Sequence, residues 1–303
     1  MSSEVKDTVD SAEKSQDAPL LTLAHIRKDV IEGAEKRERA RKSGRPVAPS
    51  TGFDKLDTLI GGGFMPGIHI MHGTPGTGKT ALALCMATAR ENAAIYLSTE
   101  MRRTVIAHRL IARHFNVPMR DVYQYGPQDI GWCMTEICNV YPRFSIMECG
   151  AWDTSAPVLR RAMNTLRASY PDNTHGGVLL IVDSGHTWAT STYTDIPNEY
   201  EKLNTALNHL EMLSQATESP VLVIAERNRA SQGESGQSSS KGTSRFEYAA
   251  ETVIGLDVVN APTVCVKVSK NRNGPLGELL LDFDGSTQTH TLAGENLPEE
   301  GQF

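Results

Sequence analysis

The chain has 303 residues, 39% apolar and 22% charged, enough to bury one substantial core with a small appendage. Its apolar runs, such as residues 177–182, fall far short of the roughly 20 residues of a membrane span, and its polar, acidic start carries no signal stretch, so a cytoplasmic protein without a membrane partner is expected. Five cysteines with no Cys-x-x-Cys pair argue against a disulfide framework and a four-cysteine zinc module, while a net charge of −6 leaves nucleic-acid binding open, because a ring protein can carry basic groups on inner loops.

Residues 1–18 lack apolar periodicity and are expected to form a disordered tail. Over 19–45, Leu23, Ile26, Val30 and Ala34 recur at helical spacing before a charged run, which predicts an amphipathic helix that must lay its stripe on its own core or on a neighbour. The compact domain spans 46–290, and 291–303 form an acidic tail.

Within that domain the sequence predicts a strand at 68–71, a helix over 81–90, a strand at 94–98, and helices around 103–115 and 157–169. Residues 178–182 (VLLIV) form a continuous apolar run of the kind found in a sheet covered on both faces. A helix over 199–215 and a strand at 221–224 follow. Alternating strands and helices make this an α/β fold with a mostly parallel central sheet flanked by helices. Residues 231–244, rich in Ser and Gly, read as a mobile loop.

Gly73-Thr74-Pro75-Gly76-Thr77-Gly78-Lys79-Thr80 fits G-x-x-x-x-G-K-[ST], with a strand before it and a helix after it. Such a loop turns backbone N–H groups toward phosphate oxygens at a helix N-terminus. Lys79 is expected to meet the β- and γ-phosphates of ATP, and Thr80 to place its hydroxyl on Mg²⁺. Asp183 closes the 178–182 strand on the edge where ligands bind in open α/β sheets, which makes it the second Mg²⁺ candidate. Glu100 ends its strand in the same way and can hold the attacking water.

Near the C-terminus, Val264, Val266 and Val268 alternate with polar positions, and Leu279, Leu281 and Phe283 form the returning strand of a hairpin. Lys270 and Arg272 are expected to leave the strand end on one side, over the Asn273-Gly274-Pro275 turn.

Taken together, STGFDKLD with GGG (50–63), GTPGTGKTALAL, LSTEM (97–101), LLIVDS, EYEKLNTALNHLEMLSQATESPV, ERNR (226–229) and KNRNGPLGE occur in an order that resembles the RecA-like ATPase domain of DnaB-type hexameric replicative helicases, over residues 50–285. The resemblance implies a RecA-like P-loop NTPase with a C-terminal hairpin and an N-terminal linker helix, using ATP and Mg²⁺. It also implies a homo-oligomer, a hexamer in this family, working on single-stranded DNA in replication with replication or loader proteins as partners. By position, Glu100 matches the water-activating glutamate and Arg109 the arginine that lies against the nucleotide base. Lys270 and Arg272 match the pair that reaches the neighbouring subunit's ATP. Arg229, Lys241, Arg245 and the 187–197 loop are the implied DNA contacts.

Three departures stand out. Glu226 occupies a position where the family usually has Gln, and an acid there repels phosphate unless Mg²⁺, Arg227 or Arg229 offsets it. The residues ahead of the ATPase domain supply a tail and one helix in place of the large N-terminal domain of bacterial replicative helicases. The 231–245 loop offers mainly Lys241 and Arg245. The leading expectation is therefore a ring-forming helicase or translocase. A RecA/RadA-like recombination or repair ATPase and a KaiC-like protein-acting ATPase remain as alternatives.

Overall fold

The structure, a computed structural model, describes residues 21–44, 47–89, 92–150, 152–170, 177–226 and 248–294. Among them the chain runs α1 (Leu23–Lys42), α2 (Asp54–Leu59), β1 (Gly67–Gly73), α3 (Lys79–Ala87), β2 (Ala94–Ser98), α4 (Arg103–His114), α5 (Met119–Val122), α6 (Pro127–Val140) and β3 (Phe144–Glu148). It continues through α7 (Ala156–Ser169), β4 (Leu179–Asp183), α8 (Gly185–Thr192), α9 (Glu199–Thr217), β5 (Pro220–Glu226), β6 (Thr252–Asn260), β7 (Thr263–Asn271), β8 (Gly277–Asp284) and β9 (Thr289–Leu292).

These strands form one sheet in the order β3-β2-β4-β5-β1-β6-β7-β8-β9. The pairs from β3 to β6 are parallel and those from β6 to β9 antiparallel. The mostly parallel sheet expected from the sequence is thus observed.

In β4, Leu179 and Ile181 join a core with Leu82, Tyr96, Ile106 and Leu222, while Leu180 and Val182 join another with Leu159, Trp188, Leu210 and Val223. Successive side chains of a strand point to opposite faces, so an all-apolar run serves both layers at once. Each such side chain stabilises by about 1.5–3 kcal/mol when fully buried. Over β7 and β8 the burial alternates instead, with Val264, Val266, Val268, Leu279 and Leu281 inside.

Local chemistry explains several boundaries. Asn198 caps α9, its Oδ1 accepting from the N–H groups of Tyr200 (2.9 Å) and Glu201 (3.3 Å), and Glu218 ends that helix in the left-handed region. Pro127 opens α6, with Asp129 Oδ2 accepting from the Gly126 N–H at 3.2 Å.

Some expectations shift. The 187–197 stretch is helical through Thr192, because Ser184 caps α8 by accepting from the Thr187 N–H, which leaves 193–198 as the irregular link to α9. The C-terminal hairpin is part of a four-stranded antiparallel meander, β6 to β9, and β9 carries regular structure to Leu292, past the expected start of the acidic tail. The helix expected over 19–45 runs Leu23–Lys42. Elements α5, α6 and β3 lie in a region for which the sequence suggested no element. The 1–18 tail, Arg229, Lys241 and Arg245 lie outside the described residues, and so does the side chain of Glu226, whose backbone closes β5 beside Gly73.

Candidate nucleotide site

The C-terminal ends of β1, β2, β4 and β5 share one edge, since Gly73 pairs with Glu226, Ser98 with Asp183, and Asp183 with Ile224. From that edge the 74–78 loop curls on itself, with the Thr77 hydroxyl donating to the Thr74 carbonyl at 2.9 Å, and delivers the chain into α3. Gly78 has φ +80°, and a Cβ there would meet the His290 ring at 2.9 Å, so glycine is required both by the turn and by the ring beneath it. The open N-terminus of α3 faces an open cleft of about 370 Å³ lined by Gly76, Gly78, Lys79 and Thr80, a size suited to a nucleotide.

Lys79 Nζ donates to the carbonyls of Gly73 (2.8 Å) and Thr74 (3.1 Å), so it lies folded along its own loop with its charge at the cleft. Thr80 Oγ1 donates to Asp183 Oδ2 at 2.8 Å, and the buried Tyr96 hydroxyl donates to the same oxygen. Burial pushes the Asp183 carboxyl above its ordinary pKa, and the nearby Glu100 charge adds to this; the Tyr96 and Thr80 hydroxyls and Lys79 oppose it. A hydroxyl and a partly buried carboxylate in contact form an oxygen donor set that fits Mg²⁺, which takes one or two protein oxygens together with substrate phosphates.

Glu100 is brought beside Asp183 by the β2–β4 seam. The Thr99 N–H donates to the Asp183 carbonyl at 2.8 Å, and Thr99 Oγ1 accepts from the Ser184 N–H at 2.8 Å. Glu100 Oε1 then accepts from Ser184 Oγ (3.2 Å) and Thr187 Oγ1 (3.0 Å), so the first turn of α8 holds one carboxylate oxygen.

On the far wall, Arg109 of α4 donates to Gln288 Oε1 at 2.7 Å, and Phe283 stacks on His290 with centroids 4.5 Å apart and planes at 19°. Phe283, Gly285 and Gln288 all line the cleft. Burial, with the Arg113 charge as a second cause, lowers His290 from 6.5 to about 4 and keeps it neutral.

The structure therefore brings Gly76, Gly78, Lys79, Thr80, Glu100, Arg109 and Asp183 together. Lys270 and Arg272 stand elsewhere. His69 pairs with Thr252 and Thr252 with Asn271, whereas Gly73 pairs with Leu256 and Leu256 with Val266. Four residues at about 3.3 Å rise put the level of Asn271 roughly 13 Å back from Gly73, toward the opposite edge of the sheet. There Lys270 Nζ donates to the Tyr248 carbonyl (2.6 Å), and Arg272 donates to that carbonyl (3.1 Å) and to Glu251 Oε1 (2.9 Å). The two heads do share one side, both reaching the Tyr248 carbonyl, but a register irregularity between Val253 and Ile254 sets Lys270 opposite Val253 and so on the face away from the β7 valines, whose alternation does not carry through.

Ser184, Tyr96, Phe283, Gln288 and His290 escaped the sequence reading as site residues, and Thr187, expected in a DNA loop, instead holds Glu100. Ser184 could have been flagged, since it adjoins Asp183 at a strand tip. The hairpin residues carry no local signal and come to the cleft only through antiparallel pairing.

Residues 49–291 match the sequence model of the DnaB-like helicase C-terminal domain. The chain is 27% identical to the DNA repair protein RadA of Mycobacterium tuberculosis over 132 residues, 42% of this chain and 25% of that one. It is 24% identical to the replicative DNA helicase DnaB of Treponema pallidum over 287 residues, 87% of this chain and 60% of that one. A DnaB-like replicative helicase, solved in a study of its interactions with primase, superposes with a TM-score of 0.70 at 17% identity, covering 91% of this chain and 68% of that one. The chain thus spans a quarter to three-fifths of the length of the curated relatives it matches. Among the described residues no helix is long and apolar enough to cross a membrane.

Proposed function

Because the chain belongs to the family of DnaB-like helicase C-terminal domains, matched over residues 49–291, we propose that it is a ring-forming ATP hydrolase that translocates on single-stranded DNA and unwinds duplex. The observation that carries this reading is the separation of parts. Phosphate loop, carboxylates and base wall share one cleft, while Lys270 and Arg272 stand toward the other edge of the same sheet. A hydrolytic site of this type needs cations on the γ-phosphate. In our reading a second copy adds them to Lys79, and closing that arrangement on itself makes a ring, a hexamer.

In this mechanism the backbone N–H groups of 74–80 and the start of α3 cradle the β- and γ-phosphates, and Lys79 swings from its carbonyl partners onto them. Arg109, braced by Gln288, lies against the base. Thr80 and Asp183 would hold Mg²⁺, which when bound supplies charge neutralisation to the phosphate oxygens. Glu100 orients the attacking water and takes its proton, its second carboxylate oxygen left to face the water while Ser184 and Thr187 hold the first. Arg272 and Lys270 of a neighbouring copy stabilise the charge that develops on the transferred phosphoryl group.

The N-terminal helix fits the same assembly. Leu23, Val30 and Ile31 of α1 are exposed in the single chain, so its stripe is available to an adjacent copy, while Ala40 is buried near its end. Removing residues 1–45 should then shrink or dissolve the oligomer in light scattering; an unchanged mass rejects that role.

Hydrolysis should rise with single-stranded DNA at low salt and fall with added salt, and a forked duplex should be unwound. Absence of both stimulation and salt-sensitive binding removes DNA from the reading and leaves a protein-acting ATPase. The RadA similarity supports a second reading, a repair ATPase; DNA-stimulated hydrolysis without strand displacement selects it.

A further inference from the structure

Glu251 precedes β6 and sits at the start of β1 and the end of β7 at once. Its N–H donates to the Ile68 carbonyl at 2.7 Å, and its own carbonyl accepts from the Arg272 N–H at 2.9 Å. Its carboxylate then takes both oxygens to the cation turn: Oε1 accepts from Arg272 at 2.9 Å and Oε2 from Asn273 Nδ2 at 3.3 Å. The carboxylate is mostly buried, with 22% exposure, while Arg272 keeps half its side chain in solvent. A sheltered carboxylate thus backs a guanidinium whose other side faces out.

Space for that carboxylate comes from Gly67, the first residue of β1. A Cβ built on Gly67 would lie 2.4 Å from Glu251 Cγ, closer than real Cβ atoms come to any neighbour, and Gly67 has φ +136°. Six residues further along the same strand is Gly73, where the phosphate loop begins. One strand therefore has its own nucleotide site at one end and the seat of the outward-facing cations at the other.

We propose that Glu251 is a positioning residue for Arg272, and that Gly67 is glycine so that Glu251 can occupy this seat. The inference rests on the reading that Arg272 serves a neighbouring copy's ATP. A freely rotating arginine loses side-chain entropy each time it engages, and preorganisation by a fixed carboxylate removes that loss before the transition state forms. Misplacing a catalytic group by about 1 Å can cost on the order of 100-fold in rate.

The test uses the full chain and ATP. Glu251→Ala should lower kcat roughly 10- to 100-fold with ATP affinity unchanged, because the protein's own phosphate loop is intact. Glu251→Gln, which keeps an acceptor at Oε1, should retain more activity than Glu251→Ala. Mixing Glu251→Ala with Lys79→Ala should recover activity, since Lys79→Ala copies lend an intact Arg272 seat to the working phosphate loops of their neighbours. Gly67→Ala should lower kcat as Glu251→Ala does, and its backbone strain at φ +136° should cost stability in urea titrations whether or not Glu251 is truncated.

An Arg272→Ala plus Lys79→Ala mixture runs in parallel. If that mixture recovers and the Glu251→Ala mixture does not, the positioning role is overturned and the shared site stands. If neither recovers, the shared-site reading falls, and this inference with it. A Glu251→Ala kcat equal to or above that of the unaltered protein also overturns the proposal, because the carboxylate would then be idle or a restraint.

Discussion

The two edges of the sheet are built on opposite plans. At the phosphate edge, Asp183, Thr80, Tyr96 and Glu100 converge inward, and the Asp183 carboxyl is buried enough to titrate above its usual range. Toward the other edge Arg272 is half exposed, its guanidinium held by Glu251 and the Tyr248 carbonyl of its own chain. The first arrangement is a receptacle and the second a projection. In our reading each polypeptide therefore holds parts of two ATP sites, so a mutation's position in the chain does not tell which copy's chemistry it harms.

That division can be tested one edge at a time. Removing the projection should have the largest effect: Arg272→Ala should lower steady-state hydrolysis by about 10³-fold or more while calorimetric ATP affinity stays as it was. A collapse of affinity would instead assign Arg272 to its own chain's stability. Next, Glu100→Gln should bind ATP normally and turn over roughly 10²- to 10⁴-fold more slowly; undiminished turnover would move the base to Glu226.

Acid should probe both ends together. His69, bonded to Thr252 (2.6 Å) and the Met65 carbonyl (2.7 Å), and His290, under the phosphate loop, are each lowered from 6.5 to about 4, burial being the main cause. An unfolded chain protonates them near 6.5 while the folded one resists. The associated stability is therefore fully present above about pH 6.5 and declines as pH falls toward 4, by about 3 kcal/mol for each histidine. Urea titrations at pH 7 and pH 4 measure the sum, and His290→Phe should remove one share of the decline. The smallest effect is on affinity, where Lys79→Ala should weaken ATP binding about 10- to 100-fold in calorimetry, and an unchanged affinity would refute the phosphate-loop assignment.

Much of the phosphate edge was legible in advance because its signals are local. A strand, a glycine-rich turn, Lys79 and Thr80 lie within a dozen residues, Asp183 ends an apolar run, and Glu100 follows two residues after a strand. The i, i+2 spacing of Lys270 and Arg272 likewise grouped them on one side, although the register irregularity after Val268 turned that side away from the β7 valines. What stayed hidden depends on pairs far apart in the chain: Gln288 under Arg109, His290 under Gly78, and Glu251 beside Gly67.

By itself, the sequence determined which segments are doubly buried strands, where the phosphate-loop motif lies and which cations share a strand end. Backbone conformation and side-chain periodicity are set by near neighbours, and these features follow from them. Only the tertiary structure decided that the cations sit toward the edge away from their own phosphate loop, with Glu251 behind them. That outcome depends on strand order and on the change from parallel to antiparallel pairing at β6–β7. Both arise when distant segments compete for the same buried sheet positions, a competition that no short window of residues records.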